Sequence, residues 1–471
     1  MGKEELTFCG FTIAICSFVV QLMTLGFILS MNVFYIEYID YFKDSATKTS
    51  LINGIGIGTT FLIGPFVGVL VNKFGIRPVV IGGGLLSSGG IIISTFASRV
   101  EIMYISFGLI TGSGTGLAYG PSVVIISRYF HKYHTVINGI ASAGSSIGIM
   151  VFPPLYQVLI DKYRWKGAML IIAAMNMHTV VCGCLMRAPD DRLQDMAPYE
   201  QPTSVSSPEC DASSDDFEAS KFIDTGEVHV TNPEKASEVK ILDKNMASSD
   251  ESMGKKSSVH RHKRFSNFLR GSGIKLFRSH PFLLVMWFTN FIVAIGYMAA
   301  LVYLVAKVVS VGVTRLQASF LFTIIGVCSL AGKIIHGSMV DCGKFPPLLM
   351  FSSHLFFAGM SLLLVPIGDS FPVFAVLFVV FGYSVGVYFS VIPICLREGL
   401  GVQNLATSLG WVFLAIGLGD ILGPPIAGWL FDISSNYNYC FIMVGTLDIL
   451  AAVTVLLYYG FDTYRTSRHA S

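Results

Sequence analysis

Long apolar stretches separated by short polar connections run through almost the whole chain. Twelve stretches of about 20 residues can be placed, six on each side of a charged central segment. Each is long enough to cross about 30 Å of hydrocarbon at a rise of 1.5 Å per residue. The pattern predicts twelve spanning helices, at residues 8–31, 51–71, 79–97, 103–126, 136–158, 168–186, 281–305, 316–339, 346–367, 371–396, 406–430 and 439–461.

Short segments of the first half of the chain return in the second half. Residues 152–161 (FPPLYQVLID) recur 271 residues later as residues 423–432 (GPPIAGWLFD), and residues 68–72 recur at an offset of 269 as residues 337–341. Solenoid repeats span roughly 20 to 50 residues, so this much longer period indicates a duplicated half-molecule. Each half is therefore expected to cross the membrane the same number of times.

The charges are concentrated in the middle of the chain. Hydrophobic residues make up 53% of the sequence and charged residues 13%, whereas a soluble domain has about 25% charged residues. Residues 187–279 hold 14 Lys/Arg and 16 Asp/Glu and show little periodicity, which predicts a disordered cytosolic linker between two bundles, residues 1–186 and 280–471. Its last part, residues 252–279, carries 8 basic and no acidic residues. It either attracts anionic lipid of the membrane or only sets orientation.

An even number of crossings places both termini on one side of the membrane. Lys and Arg in the short connections fall mainly on that side, so the positive-inside rule predicts cytosolic termini. Lys162, Arg164 and Lys166 lie on the opposite side and are the exception. Residues 8–36 form an uncharged run of 29 residues, too long for the apolar core of a signal peptide, which predicts a retained first helix.

The remaining composition argues against several other classes of protein. The nine cysteines are scattered without a Cys-x2-Cys pair, so neither a disulfide framework nor a metal site is expected. No nucleophile and base occur at a recognised spacing, and no phosphate-binding loop is present. We therefore predict no enzyme activity, no cofactor and no nucleic-acid partner.

Two motifs between the fourth and fifth stretches resemble a known family. Arg128-Tyr-Phe-His-Lys132 and Asn138-Gly-Ile-Ala-Ser-Ala-Gly-Ser-Ser-Ile-Gly148 are similar to the signature of monocarboxylate transporters, a family of the major facilitator superfamily. Trp165-Lys-Gly-Ala168 also matches. The resemblance implies an all-α membrane protein with the major facilitator superfamily fold, in which twelve transmembrane helices form two six-helix bundles. Helices 1, 4, 7 and 10 would line a path open alternately to each side.

The resemblance also implies residues that control the conformational change. The segment from Asn72 to Arg77 resembles the superfamily's cytosolic loop motif, whose polar side chains hold the bundles together in one state. Asn72 replaces the usual acid here, whereas the second copy of the motif keeps its aspartate. The gating residues expected on this basis are Asn72, Lys73, Arg77, Arg128 and Asp341.

The sequence departs from proton-coupled lactate carriers at four positions. Leu29 stands in place of a first-helix lysine, and Ser329 and Lys333 stand in place of an Asp and Arg pair on the eighth helix. Val385 replaces a bulky aromatic residue, which suggests a larger solute. The resemblance therefore implies a small monocarboxylate or a zwitterionic carboxylate as solute, and it favours facilitated diffusion. The alternatives are a proton-coupled monocarboxylate symporter and a solute receptor that signals through the linker.

Lys333 is the first candidate for solute binding. A lysine inside a spanning helix costs about 2.5–3.5 kcal/mol to insert and is expected to face protein or water. Its ammonium would attract a solute carboxylate, with Ser329 one turn away on the same face. The alternative is that the lysine extends to the nearby membrane surface.

Other polar residues within the apolar stretches are weaker candidates. Asp420 lies near the middle of the eleventh stretch, where a carboxylate would need a cation or a proton, so it is a candidate for ion coupling. Asn53, Tyr119 and Tyr388 either bind the solute by hydrogen bonds or are only packed. For Asp448, His178 and His354 a structural role is favoured, because the resemblance places their helices at the periphery.

The expected location is the plasma membrane, with many crossings and cytosolic termini. Some relatives need a single-pass immunoglobulin-like chaperone, so the resemblance implies such a partner in addition to the solute and membrane lipid. No residue of the sequence identifies that partner.

Overall fold

The first half of the chain forms six helices. The computed structural model describes residues 8–130, 134–186, 277, 280–341, 346–401 and 404–470. The helices are α1 (Phe8–Gln21, continued by Leu22–Gly26, Phe27–Ser30, Met31–Phe34 and Tyr35–Phe42), α2 (Ala46–Leu62 and Gly64–Phe74), α3 (Ile76–Ser94), α4 (Val100–Met103, Tyr104–Thr111 and Gly112–Tyr129), and α5 with α6 (His134–Asn176 and His178–Leu185, divided at Arg164).

The second half forms six further helices, and no strand occurs in the described residues. They are α7 (Pro281–Ser310), α8 (Arg315–Asp341), α9 (Pro347–Leu363, followed by a short turn of 3-10 helix, Val365–Ile367), α10 (Phe371–Leu400), α11 (Leu405–Ser434) and α12 (Asn438–Ala470). The linker predicted at residues 187–279 lies outside the described residues except for Phe277. The division of the chain into three parts stays a prediction.

The helices provide twelve membrane crossings. Ten helices of the described residues are long and apolar enough to span, or eleven if the bent α2 counts as one span. One of the ten covers 49 residues, Ile137–Leu185, which is about 73 Å of helix and far more than the hydrocarbon thickness. Its backbone leaves the helical region at Arg164, with φ 57° and ψ 169°. This break divides it into α5 and α6, and with the bent α2 counted as one span the described helices then number twelve, as the sequence predicts.

A bend in α2 follows from its sequence. The helix turns by 43° between Leu62 and Gly64. Pro65 lies in the first turn of the second segment, and it has no amide hydrogen to continue the hydrogen-bond ladder. The first segment of α2 packs along α11, whereas the second segment makes little contact with it.

Two pairs of helices form the main contacts between the two halves, and both bring backbones into contact. In the α2–α11 seam, a Cβ added at Gly58 would lie 2.6 Å from the carbonyl oxygen of Gly417. In the α5–α8 seam, a Cβ added at Gly326 would lie 2.7 Å from the carbonyl oxygen of Ser146. A larger residue would separate the helices at these positions, because real Cβ atoms do not approach so closely. The seams therefore depend on glycine.

Glycines also set the packing within each half. A Cβ added at Gly112 or Gly116 of α4 would lie 2.5 Å from a carbonyl oxygen of α2. In the second half, Gly386 of α10 packs against the backbone of Ser329 on α8 in the same way. Small residues at such spacing let membrane helices approach closely. The glycine-rich faces are thus packing surfaces in both halves.

The two ends of the bundle differ in how tightly they are packed. The connections α1–α2, α7–α8 and α11–α12 lie at one end, here called the α1–α2 end, and the chain termini lie at the other, the termini end. Residues 26–35 of α1 and 298–308 of α7 are all buried, and they belong to the α1–α2 end. Towards the termini end both helices expose a side chain every few residues. The described conformation is closed at the α1–α2 end.

Candidate functional site

A lysine and several serines meet in the α5–α8 seam. The Lys333 ammonium donates hydrogen bonds to the carbonyl oxygen of Ser142 at 3.3 Å and to the hydroxyl of Ser145 at 3.2 Å. One turn away on α8, the hydroxyls of Ser329 and Ser146 lie 3.4 Å apart. Lys333 and Ser329 share one face of α8, as predicted, and this face meets the other half of the molecule.

The ammonium of Lys333 has capacity left for an anion. A lysine side chain has three N–H donors, and the two contacts with α5 use two of them. In the described part of the chain no carboxylate lies within 4.0 Å of this nitrogen. The Lys333 ammonium lies between the two halves, is half-buried and bonds only to neutral oxygens among the described residues, which favours binding of an anionic group.

Asp420 lies on the opposite seam. Its side chain is 2% exposed, and its backbone carbonyl packs against Gly54 of α2. The carboxyl is close enough to interact electrostatically with Tyr297 of α7 and Tyr388 of α10. Among the described residues it makes no salt bridge. Asp420 is therefore a buried acid without a basic partner in that part of the chain.

Tyr388 takes part in a hydrogen-bond chain inside the second half. Its hydroxyl donates to Asn290 Oδ1 at 2.7 Å, and Asn290 Nδ2 donates to the carbonyl oxygen of Met286 at 2.7 Å. These bonds connect α10 with α7, two of the helices that the resemblance places along the path. Asn290 was not among the residues predicted from the sequence.

The other two predicted contact residues belong to the first half. Asn53 on α2 is 2% exposed, and neither polar atom of its amide has a hydrogen-bond partner in the described residues. Tyr119 on α4 is half-buried. No hydrogen bond within the described ranges joins either of them to Lys333, Ser329 or Tyr388. The five predicted residues are therefore not joined into one hydrogen-bonded cluster in the described ranges.

Asp432 closes the α1–α2 end of the α2–α11 seam. Its carboxylate accepts hydrogen bonds from the backbone N–H of Ala46 at 2.9 Å, the backbone N–H of Thr47 at 3.0 Å and the Thr47 hydroxyl at 2.6 Å. An anion at a helix N-terminus satisfies free N–H groups and interacts favourably with the helix dipole. The last turn of α11 therefore caps the first turn of α2 across the two halves.

Three further contacts close the same end. Arg315 of α8 forms ion pairs with Glu37 and Asp40 of α1. The hydroxyl of Tyr303 on α7 donates to the carbonyl oxygen of Pro424 at 3.0 Å, and its ring meets Tyr35 edge to face at a centroid distance of 5.1 Å. Each contact joins different helices, and two of them connect the halves. All three ion pairs of the described residues lie at this end.

The gating residues expected at the termini end are only partly described. Lys73 and Arg77 are exposed, and the Lys73 ammonium lies 4.7 Å from the centroid of the Phe74 ring. Asn72, Arg128 and Asp341 are placed on helices, but their side chains lie outside the described part of the structure. The role of these five residues stays a prediction.

Comparison with known proteins identifies the family. The sequence model of the Major Facilitator Superfamily matches residues 11–306 and 286–471. The chain belongs to the Major Facilitator Superfamily. Its predicted fold class is thereby confirmed, with twelve crossings and the two seams between the halves as described above. It is a multi-pass membrane transporter and, as predicted, not an enzyme.

Several relatives of this superfamily member are named monocarboxylate transporters, which is the family that the sequence motifs resemble. Monocarboxylate transporter 12 of Xenopus laevis is 28% identical over 452 residues, covering 94% of this chain and 87% of that protein. Monocarboxylate transporter 14 of Mus musculus is 27% identical over 457 residues, covering 94% and 88%. Monocarboxylate transporter 9 of Gallus gallus is 28% identical over 470 residues, covering 95% and 92%. The similarity extends over nearly the whole chain, and the predicted resemblance is confirmed.

Substitution of Asp432 tests how the α1–α2 end of this superfamily member stays closed. We expect Asp432→Ala to remove all three bonds to Ala46 and Thr47, at a cost of about 1–2 kcal/mol. The α1–α2 end should then open roughly 5- to 30-fold more often. The measurement is the reaction rate of a cysteine introduced at the buried position Val305 with a membrane-impermeant maleimide.

The repeat supplies the control for this measurement. Asp161 occupies the equivalent position of the repeated segment, but its carboxylate accepts a bond from Gln157 of its own helix. Asp161→Ala should leave the labelling rate nearly unchanged. Equal rates in the Asp432 variant and the parent protein would show that the cap does not hold this end closed.

Proposed function

We propose that the protein moves a small monocarboxylate or a zwitterionic carboxylate across the plasma membrane by alternating access, without coupling to an ion. The observation that carries this proposal is the Lys333 ammonium in the α5–α8 seam, bound to the neutral oxygens of Ser142 and Ser145. A carboxylate is the complementary group for such a charge. The names of the relatives, which refer to monocarboxylates, support the same class of solute.

The arrangement of contacts supports alternating access. One end of the bundle is closed by the cap of Asp432, the ion pairs of Arg315 and the bond of Tyr303. The bend of α2 leaves its second segment away from α11 at the other end. If the termini are cytosolic, as the basic residues of the connections predict, this conformation faces the cytosol.

Facilitated diffusion is favoured because the charges of proton-coupled carriers are replaced. Ser329 and Lys333 occupy the positions of the expected Asp and Arg pair.

A proton-coupled symporter is the second candidate, and one observation favours it. Asp420 is a buried carboxyl without a cation among the described residues, close to Tyr297 and Tyr388, and such a group can take up a proton during transport.

Flux through purified protein tests the proposal. We expect proteoliposomes with the full chain to exchange labelled substrates from a panel of lactate, carnitine, creatine and amino acids, at rates that do not depend on a pH gradient. Uptake driven by an inward proton gradient, and lost in Asp420→Asn, would select the symporter. Binding of a solute without any exchange across the bilayer would instead identify a receptor and refute the proposal.

A further inference from the structure

A small cavity lies inside the second half, away from both seams. Helices α7, α9, α10 and α12 surround it, and its polar lining groups come from Tyr297, His354, Ser384, Tyr388 and Asp448. The space open to the centre of a water molecule is about 10 Å³, which is room for one water. Neither Lys333 nor Ser329 borders this cavity.

Asp448 lines this cavity and has one oxygen without a hydrogen-bond partner among the described residues. Its side chain is 3% exposed, and Oδ1 has no hydrogen-bond partner in the described residues. A Cβ added at Gly296 would lie 3.1 Å from this oxygen. The carboxyl therefore lies directly against α7, at a position where glycine leaves room for it.

The charges around Asp448 do not include a fixed cation. Each packed helix contributes a neutral or titratable group: Tyr297 from α7, His354 from α9 and Tyr388 from α10. From α11, Asp420 acts electrostatically on Tyr297 and Tyr388, and Asp448 acts on Tyr388 as well. No lysine or arginine of the described residues lines the cavity. Two carboxyl groups thus approach the same tyrosine from different helices.

An ionised carboxylate is unfavourable in these surroundings. An isolated buried charge loses its hydration, and in proteins such a group becomes neutral by taking a proton. Acidic groups inside membrane helices are costly for the same reason, and they recur in proton relays. A protonated carboxyl also has an O–H group that can donate a hydrogen bond to a water molecule in the cavity.

We propose that Asp448, together with one water molecule in this cavity, forms a proton-binding site inside the second half that is separate from the solute site at Lys333. Its ligand is a hydrogen ion, and Tyr388 interacts electrostatically with both Asp448 and Asp420. The sequence favoured only a structural role for Asp448. The proposal does not depend on which solute is carried.

Infrared spectroscopy of the purified full chain in lipid tests this site. We expect a protonated-carboxyl absorption at neutral pH that shifts in D2O and is lost or strongly reduced in Asp448→Asn. The matched control is Asp369→Asn, an exposed aspartate between α9 and α10, which should keep the absorption. An absorption of unchanged intensity in Asp448→Asn would overturn the proposal, as would its complete loss in Asp420→Asn alone.

A second variant keeps the test independent of folding in Asp448→Asn. Gly296→Ala adds a methyl group against the carboxyl oxygen, so we expect the absorption to remain but to change its frequency. An unchanged frequency would contradict the placement of the proton at Asp448.

Thermal unfolding measured in sodium and in potassium salts shows whether the site binds a metal cation instead of a proton. A sodium-dependent rise in Tm that disappears in Asp448→Asn would replace the proton site by a sodium site.

Discussion

Replacing Lys333 by glutamine should lower uptake of an anionic carboxylate by roughly 10- to 100-fold at equal surface level. Glutamine is one atom shorter than lysine, but it keeps N–H donors on the face of α8 that meets Ser145 across the α5–α8 seam. It has no charge, so a solute carboxylate loses a charge-assisted bond of about 1.5–3 kcal/mol. The measurement is initial uptake of a labelled monocarboxylate in proteoliposomes, normalised to the amount of protein.

Two variants control this result. Lys333→Arg retains the charge and should retain part of the uptake, although its planar head differs from an ammonium in geometry. Lys162→Gln removes an exposed lysine near the α5–α6 break and should have little effect. Normal uptake in Lys333→Gln would show that the ammonium only connects α8 to α5 or extends towards the membrane surface. The proton site at Asp448 would not be affected by that outcome.

Gly428→Leu should hinder closing of the α1–α2 end and thereby lower transport. A Cβ at this position of α11 would lie 2.7 Å from the backbone nitrogen of Thr47 on α2 and 2.6 Å from the hydroxyl of Tyr303. Backbone cannot move aside as a flexible side chain can, so α11 must separate from α2. Overpacking of this kind costs about 1–3 kcal/mol in the closed state, which shifts the population roughly 5- to 150-fold towards opening.

The same helix provides the control for this variant. A Cβ added at Gly410 has no atom within 4 Å, so Gly410→Leu should transport normally. Labelling of a cysteine at Val305 should rise in Gly428→Leu and stay low in Gly410→Leu. Loss of transport without increased labelling would indicate a folding defect instead of an open end, and normal transport would contradict the role of this contact.

The crossings could be predicted because they depend on local sequence. A run of about 20 apolar residues determines a spanning helix almost independently of its neighbours, and helix covers most of the described residues of each of the twelve predicted runs. The common face of Ser329 and Lys333 was predictable for the same reason, since residues four apart in a helix point the same way. Only the identity of the helix that packs against this face could not be predicted without the structure.

The closing contacts were not predictable in this way. Asp432 and Ala46 lie 386 residues apart in the chain, and no local pattern distinguishes a carboxylate that caps a distant helix from one that faces water. Asn290 was missed because a single amide within the apolar run of α7 gives no signal until Tyr388 is placed beside it. The cavity at Asp448 likewise arises from four helices that no spacing rule brings together.

The repeated Pro-Pro segments have a consequence for natural variation in this protein. Both copies lie inside unbroken parts of their helices, in α5 and α11, and each helix borders one seam. The aspartates at the ends of the two segments nevertheless have different hydrogen-bond partners. Asp161 accepts a hydrogen bond from its own helix, whereas Asp432 accepts hydrogen bonds from the opposite half. Substitutions at position 161 should therefore be tolerated in populations, while those at position 432 should be depleted, although the sequence presents the two sites as equivalents.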